Sequence, residues 1–571
     1  MSNGNSAQEM TASTAMWTML QEEGIDCIFG VCGITNVPML HDLYAMEGIR
    51  FIHAANEAAA MGMADGYSRT SGKPGVVVVH SAAGLSYAMA NLQNAYASGS
   101  RVLVIVGQQD APREWAERFM GIDLAPMVSQ VTKGCWEITS ADEAQLSVNR
   151  ALRDMSAPSP RPVVLSMTTA VQKARISYRA MPPDGRRMAL DILPSDSALQ
   201  ATAQMIAAAE SPVIFASRAV ADVDAVAELV AFAETIGAPV YTGNEDKVIF
   251  PSGNPLSRGM VMQQADSMRN MASSADVLIT IGNELFKYSD APDTPLVPES
   301  TRVIQIDLDS SQLARFCPTQ QALLANPKLA LPALQQRLEG MVDAGKRAAR
   351  MERLAGEYRQ REEFVQGVLD QDWQDTPMRW GAAFREIASA LPENAIVVDE
   401  LASFYGQLPK VMKFDEPGSY FGHCEALGWG VPATLGVALG APERPVVGIL
   451  GDGGAMFCVQ ALWSAAKYDI PAVMIIMNNG GYGCMRGLFM MHTFEVEAPL
   501  EVELGNSYDV GELNLCDLAA SFGVTAKRVT DPTDVQSVVS EMIALKKPAV
   551  VELMVCPEGS GMVDLLMEFY K

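Results

Sequence analysis

Apolar and polar positions along this chain alternate between two rhythms. Short unbroken apolar runs, the length of strands buried on both faces, recur from end to end. In the first third they are CIFGV (27–31), RFIHAA (50–55), GVVVVH (75–80) and RVLVIVG (101–107). PVIFAS (212–217), APVYTG (238–243), DVLITIG (276–282) and RVIQIDLD (302–309) follow, and NAIVVDE (394–400), VTAKRV (524–529) and AVVELMV (549–555) close the series. Helical spacing fills the intervals near 35–46, 57–71 and 84–98. Strand and helix in turn predict an α/β chain of three doubly wound parallel-sheet domains, at 1–178, 190–345 and 375–571. The polar, proline-bearing stretch 176–190 is predicted as a linker, and the charged stretch 345–372 as a solvated connecting helix.

One stretch joins this pattern to chemistry. The run Val446 to Leu450 stops at Gly451-Asp452-Gly453. A helical stretch follows, with Met456, Val459, Leu462, Trp463 and Ala466 on one face, and a second run, Ala472 to Met477, ends at Asn478-Asn479. A strand, helix and strand of this kind make one crossover with parallel strands, so Asp452 and Asn479 emerge at the same sheet edge, where such folds bind ligands. A carboxylate beside an amide oxygen suits a hard cation such as Mg²⁺. The glycines allow the backbone to approach a diphosphate closely.

Composition narrows the partners. The chain has 571 residues, about half of them apolar, and a formal net charge of −25. Its length suits about three domains. Its charge argues against nucleic acid and anionic membranes as partners. The polar N-terminus lacks the pattern of a signal peptide, no apolar run approaches a membrane span, and the nine cysteines form no CxxC pair. A cytoplasmic protein with reduced thiols and no zinc site is the expectation.

Two residues in the first third carry further chemistry. Glu57 opens a helix after the second strand, where a carboxylate is favoured by the helix dipole. His80 ends the third strand and points over the same edge. The loop GVCGITN (30–36) borders that edge.

The spacing of GDG and NN, together with HAANEAAAMGMADGYSR and HSAAG, resembles the thiamine-diphosphate decarboxylases and carboligases of the acetolactate-synthase superfamily. Further stretches, AMANLQNAYASGS, GQQ (107–109), LFKY (285–288), PGSY (417–420) and ALWSAAKYDIPAVMIIMNNGGYG, are similar to the benzoylformate decarboxylase family within it. The resemblance implies thiamine diphosphate and Mg²⁺ as cofactors, with pyrimidine-binding, middle and diphosphate-binding domains in that order. It implies catalytic roles for Glu57, on the pyrimidine ring, and His80, in proton transfer. Ser403, Glu425, Leu427, Gly451, Asp452, Gly453, Gly454, Asn479 and Tyr482 would bind the cofactor, with Asp452, Asn479 and the carbonyl of Gly481 on the metal. Leu427 matches the bulky residue that wedges beneath the cofactor. Cys32, Ile34, Ser289, His423, Cys484, Met485 and Leu488 would line the substrate pocket.

The middle domain binds FAD or another nucleotide in some relatives; this one has no GxGxxG, and its expected role is structural, with the loop LFKYSD (285–290) reaching the pocket. Two departures stand out. Ile34 replaces a serine of the family, and Ser289 occupies the loop that carries its second active-site histidine, leaving His423 or His492 to supply proton transfer. The implied reaction is decarboxylation of a 2-oxo acid with carboligation to an aldehyde, or alternatively a dedicated carboligase or lyase. The implied assembly is a homodimer at least, and a homotetramer by resemblance, with the cofactor between subunits.

Overall fold

Among the described residues, three parallel sheets of six strands each absorb the apolar runs. A computed structural model describes residues 8–110, 119–156, 158–243, 246–282, 287, 294–370, 375–406, 408–422, 425–485, 511 and 513–557. The first sheet holds Cys27–Gly30, Arg50–His53, Gly75–His80, Val102–Gln108, Gly134–Ile138 and Val163–Thr168, and numbered along the chain these lie in the order 2-1-3-4-6-5. The last sheet, Ile396–Glu400, Tyr420–Gly422, Val446–Gly451, Ala472–Asn478, Thr525–Val529 and Ala549–Met554, repeats that order. The middle sheet, Pro212–Ala216, Val240–Thr242, Ser257–Met260, Val277–Ile281, Arg302–Asp307 and Gln321–Leu324, is ordered 3-2-1-4-5-6. The α/β class and the three parallel sheets agree with the sequence pattern.

Several local expectations need correction. The edge strands Gly134–Ile138, Ser257–Met260, Gln321–Leu324 and Tyr420–Gly422 have no counterpart among the apolar runs. An edge strand packs against one neighbour only, so its sequence needs no continuous apolar run. The expected linker 176–190 begins inside a strand, Arg175–Tyr178, which pairs antiparallel with Gln8–Thr11. The helical stretch after Gly453 is two helices, Asp452–Met456 and Ala461–Lys467, with Phe457 packed over Gly428 at the break. The solvated helix does form, as Ala344–Leu369. Among the described residues no helix is long and apolar enough to cross a membrane.

The first and last sheets share a core. Ala59, Ala60, Met63, Ala64 and Leu92 from one side cluster with Trp429, Val431, Leu435 and Leu450 from the other. At its centre the Glu57–Ser71 helix crosses the Gly430–Gly440 helix at backbone distance. A methyl group on Gly66 would sit 2.4 Å from Ala433 O, and one on Gly436 would sit 2.0 Å from Met63 O. Only glycine permits that approach. Beside the crossing, Asp65 receives Arg69 Nη2 at 2.7 Å and Trp429 Nε1 at 2.6 Å, and Arg69 Nη1 donates to Gly422 O at 2.8 Å. The pair is fully buried, and these extra hydrogen bonds offset its desolvation.

The crossing makes a specific demand. Gly66→Ala should lower the unfolding temperature, at a cost of about 1–3 kcal/mol from overpacking against backbone. Gly367→Ala, on the exposed face of the Ala344–Leu369 helix with nothing within 4 Å, should raise it by about 0.5–1 kcal/mol. A thermal melt of the two variants checks both, and an unshifted Gly66→Ala melt would mean that the helices do not touch here.

Candidate active site

The order 2-1-3-4-6-5 reverses between the first and third strands, which opens a crevice at their carboxyl ends. In the first sheet that crevice is bordered by Gly30 and His80. His80 passes directly into the Ser81–Ala97 helix, through a buried Ser81 at φ 55°. A non-glycine residue in this left-handed region costs about 1–2 kcal/mol. The His80 ring is held on two sides. Nδ1 lies 2.7 Å from Thr35 Oγ1, and a methyl group on Gly33 would meet the ring at 2.3 Å. Thr35 is fully buried, its hydroxyl donating to Gly107 O at 2.7 Å and its carbonyl accepting from Gln172 Nε2 at 2.8 Å.

Glu57 lies in the same region. Asn56 caps the Glu57–Ser71 helix, accepting from Ala59 N at 2.8 Å, and places Glu57 in the first turn with 8% exposure. Its Oε1 faces the start of the Ser81–Ala97 helix, where a methyl group on Gly84 would come within 2.8 Å. Cys32 and Ile34 are exposed, Ile34 at 70%. Ile34 lines a groove of about 670 Å³ with Val37, Pro38, His41, Gln109 and Lys173.

The corresponding crevice of the last sheet is bordered by Glu400 and Gly451. Asp452 and Asn479 are both buried there. One terminal atom of the Asn479 carboxamide lies 3.2 Å from Asp452 Oδ1 and 2.7 Å from Gly481 O. With the amide oxygen at that position, three oxygens converge with no hydrogen between them, which is the arrangement a cation satisfies. Turned over, the amide nitrogen donates to both oxygens. Burial pushes the Asp452 carboxyl above the ordinary range, against hydrogen bonds from the backbone of Gly453 and residues 479–481. A divalent ion would reverse that penalty. Among the described residues no three His, Cys, Asp or Glu side chains converge, so this mixed oxygen set is the candidate for a hard cation.

Gly451, Gly453 and Gly454 form the turn next to it, and the Tyr482 ring lies over Gly453, where a methyl group would meet it at 2.8 Å. Cys484 and Met485 are exposed beside the turn. Ser403 was expected to contact a phosphate; its Oγ accepts from Cys484 N at 3.1 Å, so it anchors this segment and keeps only its own proton to donate. Ser289, His423, Leu488 and His492 lie outside the described residues.

The loop of Glu425 and Leu427 is bound to the Ser81–Ala97 helix. Asn94 Oδ1 accepts from Glu425 N and Ala426 N at 2.9 and 2.8 Å, and Asn94 Nδ2 donates to Ala426 O at 2.9 Å. Asn91 Nδ2 donates to Ala58 O at 2.8 Å and Gly428 O at 3.4 Å. Leu427 is half-buried, and the Glu425 carboxylate pairs with Lys287. A separate cavity of about 1290 Å³ opens beside Arg69, Arg161, Arg218 and Lys247, and neither Glu57, His80, Asp452 nor Asn479 lines it.

Comparison with known proteins gives the chain a family. Residues 10–127 match the thiamine pyrophosphate enzyme N-terminal TPP binding domain, 199–334 its central domain, and 403–553 its C-terminal TPP binding domain. The chain belongs to the thiamine pyrophosphate enzyme family. It is 27% identical to benzoylformate decarboxylase of Pseudomonas aeruginosa, over 95% of this chain and 98% of that one. It is 26% identical to the probable acetolactate synthase large subunit of Methanocaldococcus jannaschii, over 96% and 92%. The structure of the thiamine diphosphate-dependent 4-hydroxybenzoylformate decarboxylase of Rhodococcus jostii RHA1 superposes with a TM-score of 0.80 at 24% identity, over 96% of this chain and all of that one. At that identity the superposition speaks for the fold. The chain is therefore a thiamine diphosphate-dependent enzyme of the decarboxylase and carboligase type.

Within this family site, sequence reasoning passed over Thr35, Asn91, Asn94 and Glu400. Two asparagines three apart in a helix were the readable signal, since interior helical asparagine is disfavoured unless it has partners. Glu400 is fully buried. Its Oε1 accepts from Gly428 N at 2.7 Å and Trp429 N at 2.8 Å, capping the Gly430–Gly440 helix from a neighbouring strand. Oε2 has no hydrogen-bond partner among the described residues and lies between Gly430 and Gly454. Burial pushes this carboxyl up to about 7, against the lowering effect of the backbone donors.

The native state thus binds the Glu400 proton more tightly than the unfolded chain. Stability should fall as pH rises from the ordinary glutamate value of 4.5 to about 7. Glu400→Gln lacks this titration. The stability of the wild type relative to Glu400→Gln should decline across that window by roughly 2–3 kcal/mol, read from melts at successive pH values. A difference that stays flat would place a counter-charge beside Glu400.

Proposed function

We propose that this enzyme decarboxylates a 2-oxo acid and also joins the acyl unit to an aldehyde, giving a 2-hydroxy ketone. The observation that supports it most directly is the repeated sheet order. One crevice presents Glu57 and His80, and the equivalent crevice presents Asp452, the Asn479 carboxamide and the Gly481 carbonyl. When bound, thiamine diphosphate supplies a carbon nucleophile for the carbonyl and a sink for the electron pair released with CO₂.

The chain's own residues do the rest. Glu57, buried in the first helical turn, is suited to hold a proton against a ring nitrogen of the cofactor. His80 moves a proton at the substrate oxygen. Asp452, Asn479 and the Gly481 carbonyl would hold Mg²⁺, and the glycine-rich turn at 451–454 would receive the diphosphate. Leu427, on its clamped loop, would pack against the cofactor rings. Ile34, Cys484 and Met485 offer apolar walls, which disfavour a carboxylate and favour its loss as CO₂.

The working unit is a homodimer at least, with Glu57 of one protomer facing Asp452 of the other. Exposed apolar side chains support an interface on these elements: Tyr87, on the Ser81–Ala97 helix, is 67% exposed, and Phe457, beside the Gly453 turn, 55%. A homotetramer is the larger assembly proposed. The second reading is a dedicated carboligase, supported by the acetolactate synthase relative.

Holoenzyme incubated with a panel of 2-oxo acids, with and without acceptor aldehydes, should release CO₂ and a free aldehyde from at least one acid alone. CO₂ accompanied by joined products and no free aldehyde selects the dedicated carboligase. Glu57→Gln should lower turnover by at least about 100-fold with the fold intact. Asp452→Ala should fail to retain cofactor on gel filtration with Mg²⁺.

A shared site has a sharper consequence. Co-expressed Glu57→Gln and Asp452→Ala chains should recover activity, because one of the two sites in a mixed dimer then has both native residues. If each site were built within one chain, no mixture would be active.

A further inference from the structure

The contacts of Thr35 decide which nitrogen of His80 carries the proton. A threonine hydroxyl has one hydrogen. Gly107 O can only accept, and it lies 2.7 Å from Thr35 Oγ1, so the hydroxyl hydrogen points there. The same oxygen lies 2.7 Å from His80 Nδ1. With its hydrogen committed, Oγ1 has only lone pairs to offer, and Nδ1 must be the donor. The reverse tautomer would set two acceptors against a single hydrogen and leave one lone pair facing another. The Thr35 backbone cannot shift to relieve such a conflict. Gln172 Nε2 holds its carbonyl at 2.8 Å, and a methyl group on Gly107 would already meet Thr35 O at 2.6 Å. The His80 ring cannot flip freely, because Gly33 packs against it with no room for a methyl group.

We propose that Thr35 is a positioning residue that fixes His80 in its Nδ1–H tautomer, so that Nε2 is the ring's only proton acceptor. Of the turn 30–36, the side chain that matters to the histidine is then the buried Thr35 rather than the exposed Ile34. The strained passage at Ser81 and the chain Gly107 O, Thr35 Oγ1, His80 Nδ1 act together. One sets where the ring stands, and the other sets which nitrogen is bare. The catalytic consequence rests on His80 carrying a proton in the reaction proposed above; the tautomer itself does not.

The test reads the tautomer directly. The chain has five histidines. In deuterated holoprotein with ¹⁵N in the histidine rings, the His80 signals are those lost in His80→Gln. Spectra at about pH 8, where histidine is neutral, should show a protonated Nδ1 and a bare Nε2. Thr35→Ser keeps the hydroxyl and should keep that pattern, whereas Thr35→Val should move the proton wholly or partly to Nε2. A bare Nδ1 in the wild type, or an unchanged pattern in Thr35→Val, would overturn the assignment.

Kinetics test the consequence. Thr35→Val should lower kcat about tenfold, while the rate of C2 proton exchange on bound cofactor, which reports on Glu57, stays at the wild-type value. Thr35→Ser should restore kcat. Full kcat in Thr35→Val with a displaced proton would refute the catalytic role. Failure of every 2-oxo acid to react would refute the functional reading instead, and the nitrogen spectra would still decide the tautomer.

Discussion

Two helices in backbone contact hold this enzyme's geometry. The Glu57–Ser71 and Gly430–Gly440 helices approach so closely that glycine is required on both, at Gly66 and Gly436. Apolar packing at that distance is stiff, because the contact is between main chains and no rotamer can absorb a shift. Glu57 stands at the first turn of one helix, and the Leu427 loop leads into the other. The crossing therefore fixes, within one chain, where the Glu57 end of the first domain stands relative to the Leu427 loop of the last.

Two sheets with the same strand order serve different chemistry. The first places a histidine and a carboxylate at its crevice, held by a left-handed Ser81 and a buried threonine. The last places Asp452, the Asn479 carboxamide and the Gly481 carbonyl at the same point of its topology, with small residues around them. A common layout thus carries a histidine and a carboxylate at one edge and a carboxylate, an amide and a glycine-rich turn at the other, and the difference lies in a few residues after each strand. Glu400 extends the contrast. It occupies the last sheet's crevice but faces inward, where it caps a helix.

What the sequence disclosed followed from what each residue needs nearby. Glu57 and His80, like Asp452 and Asn479, could be placed at the carboxyl edge of their own sheet because each ends or closely follows an apolar run. Gly134–Ile138, Ser257–Met260 and Gln321–Leu324 escaped notice because partly exposed strands need no apolar run, and Tyr420–Gly422 because three residues are too few to show one. The single helix expected after Gly453 is broken where Phe457 meets Gly428, a contact with a loop distant in sequence. Ser403 was placed by its position after a strand, and its acceptor contact with the backbone of Cys484 was not legible there. Thr35, Asn91, Asn94 and Glu400 act through partners 45, 33, 331 and 28 positions away. Such pairings leave no local periodicity.

The grip of Asn91 and Asn94 on the Leu427 loop is made by carboxamides and backbone groups, none of which ionises. The Asp65–Arg69 pair beside it is sealed from solvent. A chain carrying a net charge of −25 has a surface that responds strongly to counter-ions. The joint between its two halves does not share that sensitivity. Salt will therefore alter how charged molecules reach this enzyme far more than it alters the shape they find on arrival.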